Sequence, residues 1–187
     1  MREISFTVHI VYFLVFSFLG WIIDSFYCMV IEKKQHTVSG YFKHLPLCPM
    51  YGVGGVALLL TIHYYSYLPW YYLLIIGTGL ISLIEYLGGV FCVTILKERL
   101  WDYSNRKLHF QGHIDFLHSF FWLILTGIFI FYLYQRFISL NNYLNRIFRV
   151  FESYDMIVLI LFLLAIAVLT IHTRQKRLKA LLMQFSL

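Results

Sequence analysis

An all-α, polytopic membrane helix bundle of about five transmembrane helices is the fold class this sequence predicts, on three observations. Of 187 residues, 60% are hydrophobic and only 13% are charged, about half the charged share of a soluble domain. Apolar runs recur at lengths near the roughly 20 residues that a helix needs to cross hydrocarbon. No run shows the period-two alternation of a barrel strand. Lipid offers the backbone no hydrogen-bond partners, so runs of this length must pair their amides internally, as helices do.

The runs fall at residues 4–31, 51–66, 68–96, 116–134 and 155–172 of a single integral membrane domain, 1–187. The first is too long for a signal peptide and lacks a small-residue cleavage site after it, so it reads as a retained span. The second is short and carries His63. Pro46 and Pro49 precede it and forbid a continuous helix, while Gly52, Gly54 and Gly55 open it. It reads as a tilted or partly re-entrant entry, with a plain proline-started helix as the alternative. Residues 136–154 mix aromatics with arginines and read as an interfacial helix. The basic tail, 173–187, ends in Leu181, Leu182, Met183 and Phe185. It suits an amphipathic helix on the inner surface or a solvated helix end.

Spans one and three share a design. Each carries an acid, Asp24 or Glu85, then a cysteine, then a basic loop. The pattern predicts a parallel repeat of two helical hairpins; the competing explanation is coincidence between two similar hairpins. Cys28 and Cys92 lie in spans and Cys48 in a loop. An odd count without a framework points to small structural residues rather than disulfides.

Charge sets an expected orientation. Lys33, Lys34 and Lys43 lie in loop one, Lys97, Arg99, Arg106 and Lys107 in loop three, and Arg174, Lys176, Arg177 and Lys179 in the tail. Only Arg2, Arg136, Arg146 and Arg149 fall on the other side. The positive-inside rule then places the N-terminus outside and the C-terminus in the cytoplasm of a multi-pass cell-membrane protein. The net charge of +6 reflects anchoring against anionic membrane lipid rather than nucleic-acid binding.

The acids carry the functional argument. Asp24 lies roughly 12 Å, and Glu85 roughly 18 Å, from the basic end of its span at 1.5 Å per residue. An ionised group at a span centre costs about 2.5–3.5 kcal/mol, so each needs a polar partner or a proton. An interhelical hydrogen bond is the structural explanation; a substrate or coupling site is the functional one. Glu85 favours the second, because Gly88 and Gly89 beside it allow close helix approach. Loop three, "KERLWDYSNRKLHFQGHIDFLH", concentrates Glu98, Trp101, Asp102, Tyr103, His113 and Asp115 near its mouth. Glu98, Arg99, Asp102, Arg106, His109, His113, Asp115 and His118 suit an ion-pair network. His113 and His118 are five apart, a poor spacing for one helix face, so no metal is assigned. No HExxH, phosphate-loop or GxSxG motif occurs; the chain carries no recognisable ATPase of its own and no assigned cofactor.

The motifs "GWIIDSFY", "CPMYGVG", "EYLGGVF" and "WDYS…FQGHI" stand in this order between about Gly20 and Trp122. Together they resemble the type IV ABC-transporter permease (CmpB-like) family of small bacterial membrane proteins. The resemblance implies a multi-helix membrane fold and a transport role. It covers Trp21, Gly40, Cys48, Pro49, Tyr51, Gly52, Glu85, Tyr86, Trp101 to Ser104, and Gly112. The chain departs from the family pattern at Asp24, where Glu is usual, and at Val38-Ser39, Val93, His109 and His113.

The expected function is a transporter-like permease component whose polar intramembrane site opens to the cytoplasm. Asp24 and Glu85 form its inner wall, with Tyr51 and the loop-three residues at its mouth. A separate ATPase subunit and a second copy in a homodimer are the expected partners. Two rivals remain: a membrane enzyme acting on a lipid or lipid-linked substrate, and a non-catalytic accessory or sensor subunit. Enzymatic chemistry is the less favoured.

Overall fold

The computed structural model describes residues 6–30, 46–148, 157 and 161. Its elements are α1 (Phe6–Val30), α2 (Pro49–Tyr64), α3 (Trp70–Thr94), a two-stranded hairpin of β1 (His109–Phe110) and β2 (Ile114–Asp115), α4 (Phe116–Ile128), a π-helical turn (Phe129–Leu133) and α5 (Tyr134–Phe148). Three described stretches are long and apolar enough to cross a membrane: Thr7–Val30, Trp70–Thr94 and Phe116–Leu144. Of the fifth expected span only Ile157 and Leu161 are described, both helical. The basic tail and loop one up to residue 45 lie outside the described residues.

Helix α2 packs between α1 and α3, and α3 packs on α4. The core joins Val8, Tyr12 and Phe16 of α1, Leu58, Leu59 and Ile62 of α2, Leu73 and Ile81 of α3, and Phe129 and Phe137. The phenol of Tyr12 donates to the Phe137 carbonyl at 3.0 Å, which ties α5 to α1. Large apolar side chains such as Phe26, Ile75, Phe91 and Phe131 remain exposed, as expected for a surface solvated by acyl chains.

The start of α2 is deep. Cys48 is its N-cap and Pro49 opens its first turn, where a missing N–H costs nothing. The Cys48 N–H donates to the Ser17 carbonyl at 2.9 Å. Ser17 lies thirteen residues before the end of α1, about 20 Å along its axis. A side chain at Gly52 would collide with Ser17 and Phe13, so glycine permits this close crossing. The chain thus enters α2 part-way down α1, and Pro49 stands in the first turn of a regular helix, the plain proline-started alternative.

The fourth helical run, expected to end near residue 134, continues without a break to Phe148. No glycine or proline interrupts residues 129–148. The π-helical turn rotates the faces, as such turns do, and Phe129 and Phe137 stack with centroids 5.6 Å apart.

Loop three, residues 95–115, folds back onto the bundle. β1 and β2 pair antiparallel, with His109 opposite Asp115. Gln111 and Gly112 turn the hairpin at φ 53° and 73°. The Tyr103 N–H donates to the Gly112 carbonyl at 2.9 Å, and the Trp101 indole N–H donates to the His113 carbonyl at 2.9 Å. A Cβ at Gly89 would lie 2.6 Å from the His113 ring, and one at Gly88 would strike Met50. The glycine pair of α3 is therefore a seat for loop three and the start of α2.

Candidate functional site

Glu85 is buried, and both of its carboxylate oxygens are engaged. The Tyr103 hydroxyl donates to Oε1 at 3.0 Å, and the Trp122 indole N–H donates to Oε2 at 2.7 Å. One donor comes from loop three and the other from α4, so this one acid joins three parts of the chain. Such charge-assisted bonds supply what a buried carboxylate needs. One helical turn earlier, Ser82 donates to Ser119 at 3.4 Å, extending a polar seam between α3 and α4.

A second acid lies behind Tyr103. The Tyr103 ring stacks on His118 with centroids 4.0 Å apart and planes 21° from parallel. His118 Nδ1 lies 2.6 Å from Asp115 Oδ1. That oxygen also accepts the His118 backbone N–H at 2.7 Å, which caps α4. Arg106 Nε lies 3.8 Å from Asp115 Oδ2, and the same guanidinium donates to the Tyr27 hydroxyl at 3.2 Å. Tyr27 meets His118 edge-on at 5.5 Å. The end of α1, loop three and the start of α4 therefore share one end of the bundle.

Several groups outside the spanning helices have displaced acidities. Burial, with the Glu85 carboxylate next, pushes the Tyr103 phenol far above its usual range, and Asp24 adds to the push. Tyr103 therefore keeps its proton and remains a donor. Burial and then Asp24 push the Cys48 thiol up to about 12. Hydrogen bonds from the Ser104 hydroxyl and N–H, followed by Arg99, lower Asp102 to about 2. Burial, then Arg99, lowers His113.

The expected site residues separate into groups. Glu85 and Tyr103 bond directly, and Tyr51 lies beside them with its ring 5.1 Å from that of Trp122. Asp115 sits behind the stacked His118. Asp24, half-buried, reaches this region through its charge on Tyr103 and Cys48. Trp101 and His113 form the loop's seat on α3. Asp102 faces outward with Arg99 at 2.7 Å and Ser104 at 2.5 Å. Glu98 closes the end of α3, its N–H donating to the Cys92 carbonyl at 3.1 Å. Among the described residues no three His, Cys, Asp or Glu side chains converge as metal ligands. Sequence reasoning missed Trp122 and Tyr27. A tryptophan inside a span needs an acceptor for its N–H, and Trp122 stands one turn beyond His118; that signal was available. Beside the Asp115 end of the cluster, an open cavity of about 520 Å³ is lined by Asn105, Arg106, Lys107, Asp115 and Leu117.

A family model described as "Putative ABC-transporter type IV" matches residues 11–171, from α1 to beyond α5. The chain belongs to this family. The match contains Glu85, Tyr103, Trp122, Asp115 and His118. No curated protein and no solved structure matches the chain.

Proposed function

We propose that the chain is a permease component whose polar intramembrane site centres on Glu85 and opens toward the cytoplasm when loop three lifts. The observation that carries this reading is the paired grip on Glu85, one donor from the loop and one from α4. Lifting the loop removes Tyr103 and leaves a carboxylate free to take a substrate or a coupling ion. Asp24 and Tyr51 line the same approach. Five spans, arranged as a parallel repeat of two hairpins plus a fifth helix, make a small path. A separate ATPase subunit docked on the basic loops and a second copy of the chain complete the machine.

The test is purification of the full chain from its native membrane in mild detergent, followed by nucleotide hydrolysis measurements in vesicles. A nucleotide-hydrolysing partner is expected with wild type and with Glu85→Gln alike. The Glu85→Gln complex should hydrolyse at least about tenfold more slowly, the loss expected when one charge-assisted contact is removed. Absence of such a partner, or full turnover by Glu85→Gln, overturns the reading.

A second reading, an enzyme acting on a lipid or lipid-linked substrate, draws on the Asp115–His118 pair. A carboxylate 2.6 Å from an imidazole nitrogen orients that ring for general acid–base work. The accessory or sensor reading draws on the buried His113.

A further inference from the structure

The β1–β2 hairpin of loop three lies beside a spanning helix rather than past its end. Phe110 packs on Tyr86 with ring centroids 5.4 Å apart, and the Tyr86 hydroxyl donates to the Gln111 side-chain oxygen at 3.1 Å. Tyr86 stands eight residues before the end of α3 at Thr94, about 12 Å back along the helix. Beyond that level α3 stays apolar and exposed, at Leu87, Phe91 and Ile95, and so does the end of α1, at Phe26, Met29 and Val30. At the opposite end of α3, the exposed Trp70, Tyr71 and Tyr72 form the aromatic girdle expected where a span meets headgroups. Counted from Tyr72, the roughly 20 residues that cross hydrocarbon end near Cys92. The hairpin's contact with α3 at Tyr86 falls on the hydrocarbon side of that boundary.

The surface of the hairpin fits this depth. Leu108, Phe110 and Phe116 are 78%, 56% and 67% exposed. Leu108 takes φ 56°, a left-handed conformation that residues other than glycine seldom adopt, and its carbonyl accepts the Phe116 N–H at 3.2 Å. Polar groups here are answered from within the protein. The Gly112 N–H donates to His109 Nδ1 at 3.1 Å, the His113 N–H donates to the Phe110 carbonyl at 3.1 Å, and the Arg106 guanidinium donates to the Tyr27 hydroxyl. Irregular backbone persists at membrane depth only when its polar groups are satisfied. Lys107 is exposed, and a lysine stem is long enough to carry its ammonium to the headgroups.

We propose that this hairpin is a re-entrant element embedded in the leaflet that surrounds the Val30 and Thr94 ends of α1 and α3, with Leu108, Phe110 and Phe116 against acyl chains. The acyl chains that cover Leu87 and Phe91 reach the hairpin as well, so no partner protein is needed to cover it. The inference requires membrane embedding and does not require transport through Glu85.

The test is electron paramagnetic resonance of the full chain in phosphatidylcholine nanodiscs, with a nitroxide attached at Leu108→Cys or at Phe110→Cys. The signal of identically treated wild type is subtracted. Collisions with oxygen, which concentrates in hydrocarbon, are compared with collisions with a nickel chelate, which stays in water. Ile75→Cys, 66% exposed on α3, is the lipid reference. Lys97→Cys, exposed and past the end of α3, is the aqueous reference. Both hairpin probes should match Ile75→Cys, with frequent oxygen collisions and loss of the nickel access seen at Lys97→Cys. Nickel access at the Lys97→Cys level overturns the proposal; if Ile75→Cys still reads as lipid, the membrane fold itself stands. Weak collisions with both reagents mean that protein covers the hairpin, and overturn the proposal equally.

Discussion

Glu85 shows how a single acid can be tolerated inside an apolar bundle. Its cost is offset by two donors, Tyr103 and Trp122, half-buried side chains whose O–H and N–H need an acceptor. Removing the acid therefore strands both. Glu85→Ala should destabilise the protein by about 3 kcal/mol, and Tyr103→Phe, which leaves Oε1 without its donor but keeps Trp122 paired, by about 1–2 kcal/mol. Unfolding in a fixed detergent, followed by Trp fluorescence, checks the order; a larger loss for Tyr103→Phe contradicts it. Cys48 gives a second expectation at this scale. With its thiol raised to about 12 by burial and the Asp24 charge, almost none is thiolate at neutral pH, and the thiolate is the nucleophile. A maleimide should label Cys48 only after denaturation. Labelling of Cys48 in the folded protein at the rate of a free thiol contradicts its burial.

Loop three is the element on which the site depends, because its fold delivers Tyr103 to Glu85. Gly112 sits at φ 73°, and a Cβ there would lie 2.5–2.7 Å from Arg99, Ser104 and Asp102. Gly112→Ala should cost about 1–3 kcal/mol of loop stability and raise hydrogen exchange in residues 99–114, leaving the α1–α2 core unchanged. Acid should loosen the same loop. His113 is buried against Gly89 with Nδ1 unpaired among the described residues, and its pKa lies below the usual 6.5. A base whose folded pKa is depressed binds fewer protons when folded. Its stabilising contribution is therefore complete above about 6.5 and falls as pH drops below that value. Nearby Arg99 opposes protonation and Asp102 favours it, burial being the larger cause. Asp102, already at about 2, loses its charge only in much stronger acid, between about pH 4 and 2. Exchange corrected for intrinsic rate should rise in residues 99–114 between pH 7.5 and 5.5, and His113→Phe should remove that step. An equal step in His113→Phe assigns it to another group.

At the scale of the whole molecule, the distribution of basic residues predicts an external N-terminus and a cytoplasmic C-terminus. Reporter fusions at the two ends test this, and two cytoplasmic ends refute it. The structure puts the end of α1, loop three and the start of α4 together at one end of the bundle, through Tyr27, Arg106 and His118. The sequence by itself determined the membrane-helix character, because apolar length and scarce charge decide where a chain can satisfy its backbone. It also singled out Glu85, because an acid within such a run is costly unless answered, and the break in the chain before α2, because prolines act locally. Only the tertiary structure decided what answers Glu85. Trp122 lies 37 residues away and Tyr103 lies 18 away, and no local periodicity records which side chains meet across such separations. The same holds for Asp115 and His118, which the sequence offered only as members of a charged network and the structure makes a helix cap with a stacked tyrosine. Periodicity and hydropathy act along the chain; hydrogen-bond partners of a buried charge are chosen by packing between helices, and that choice appears only in three dimensions.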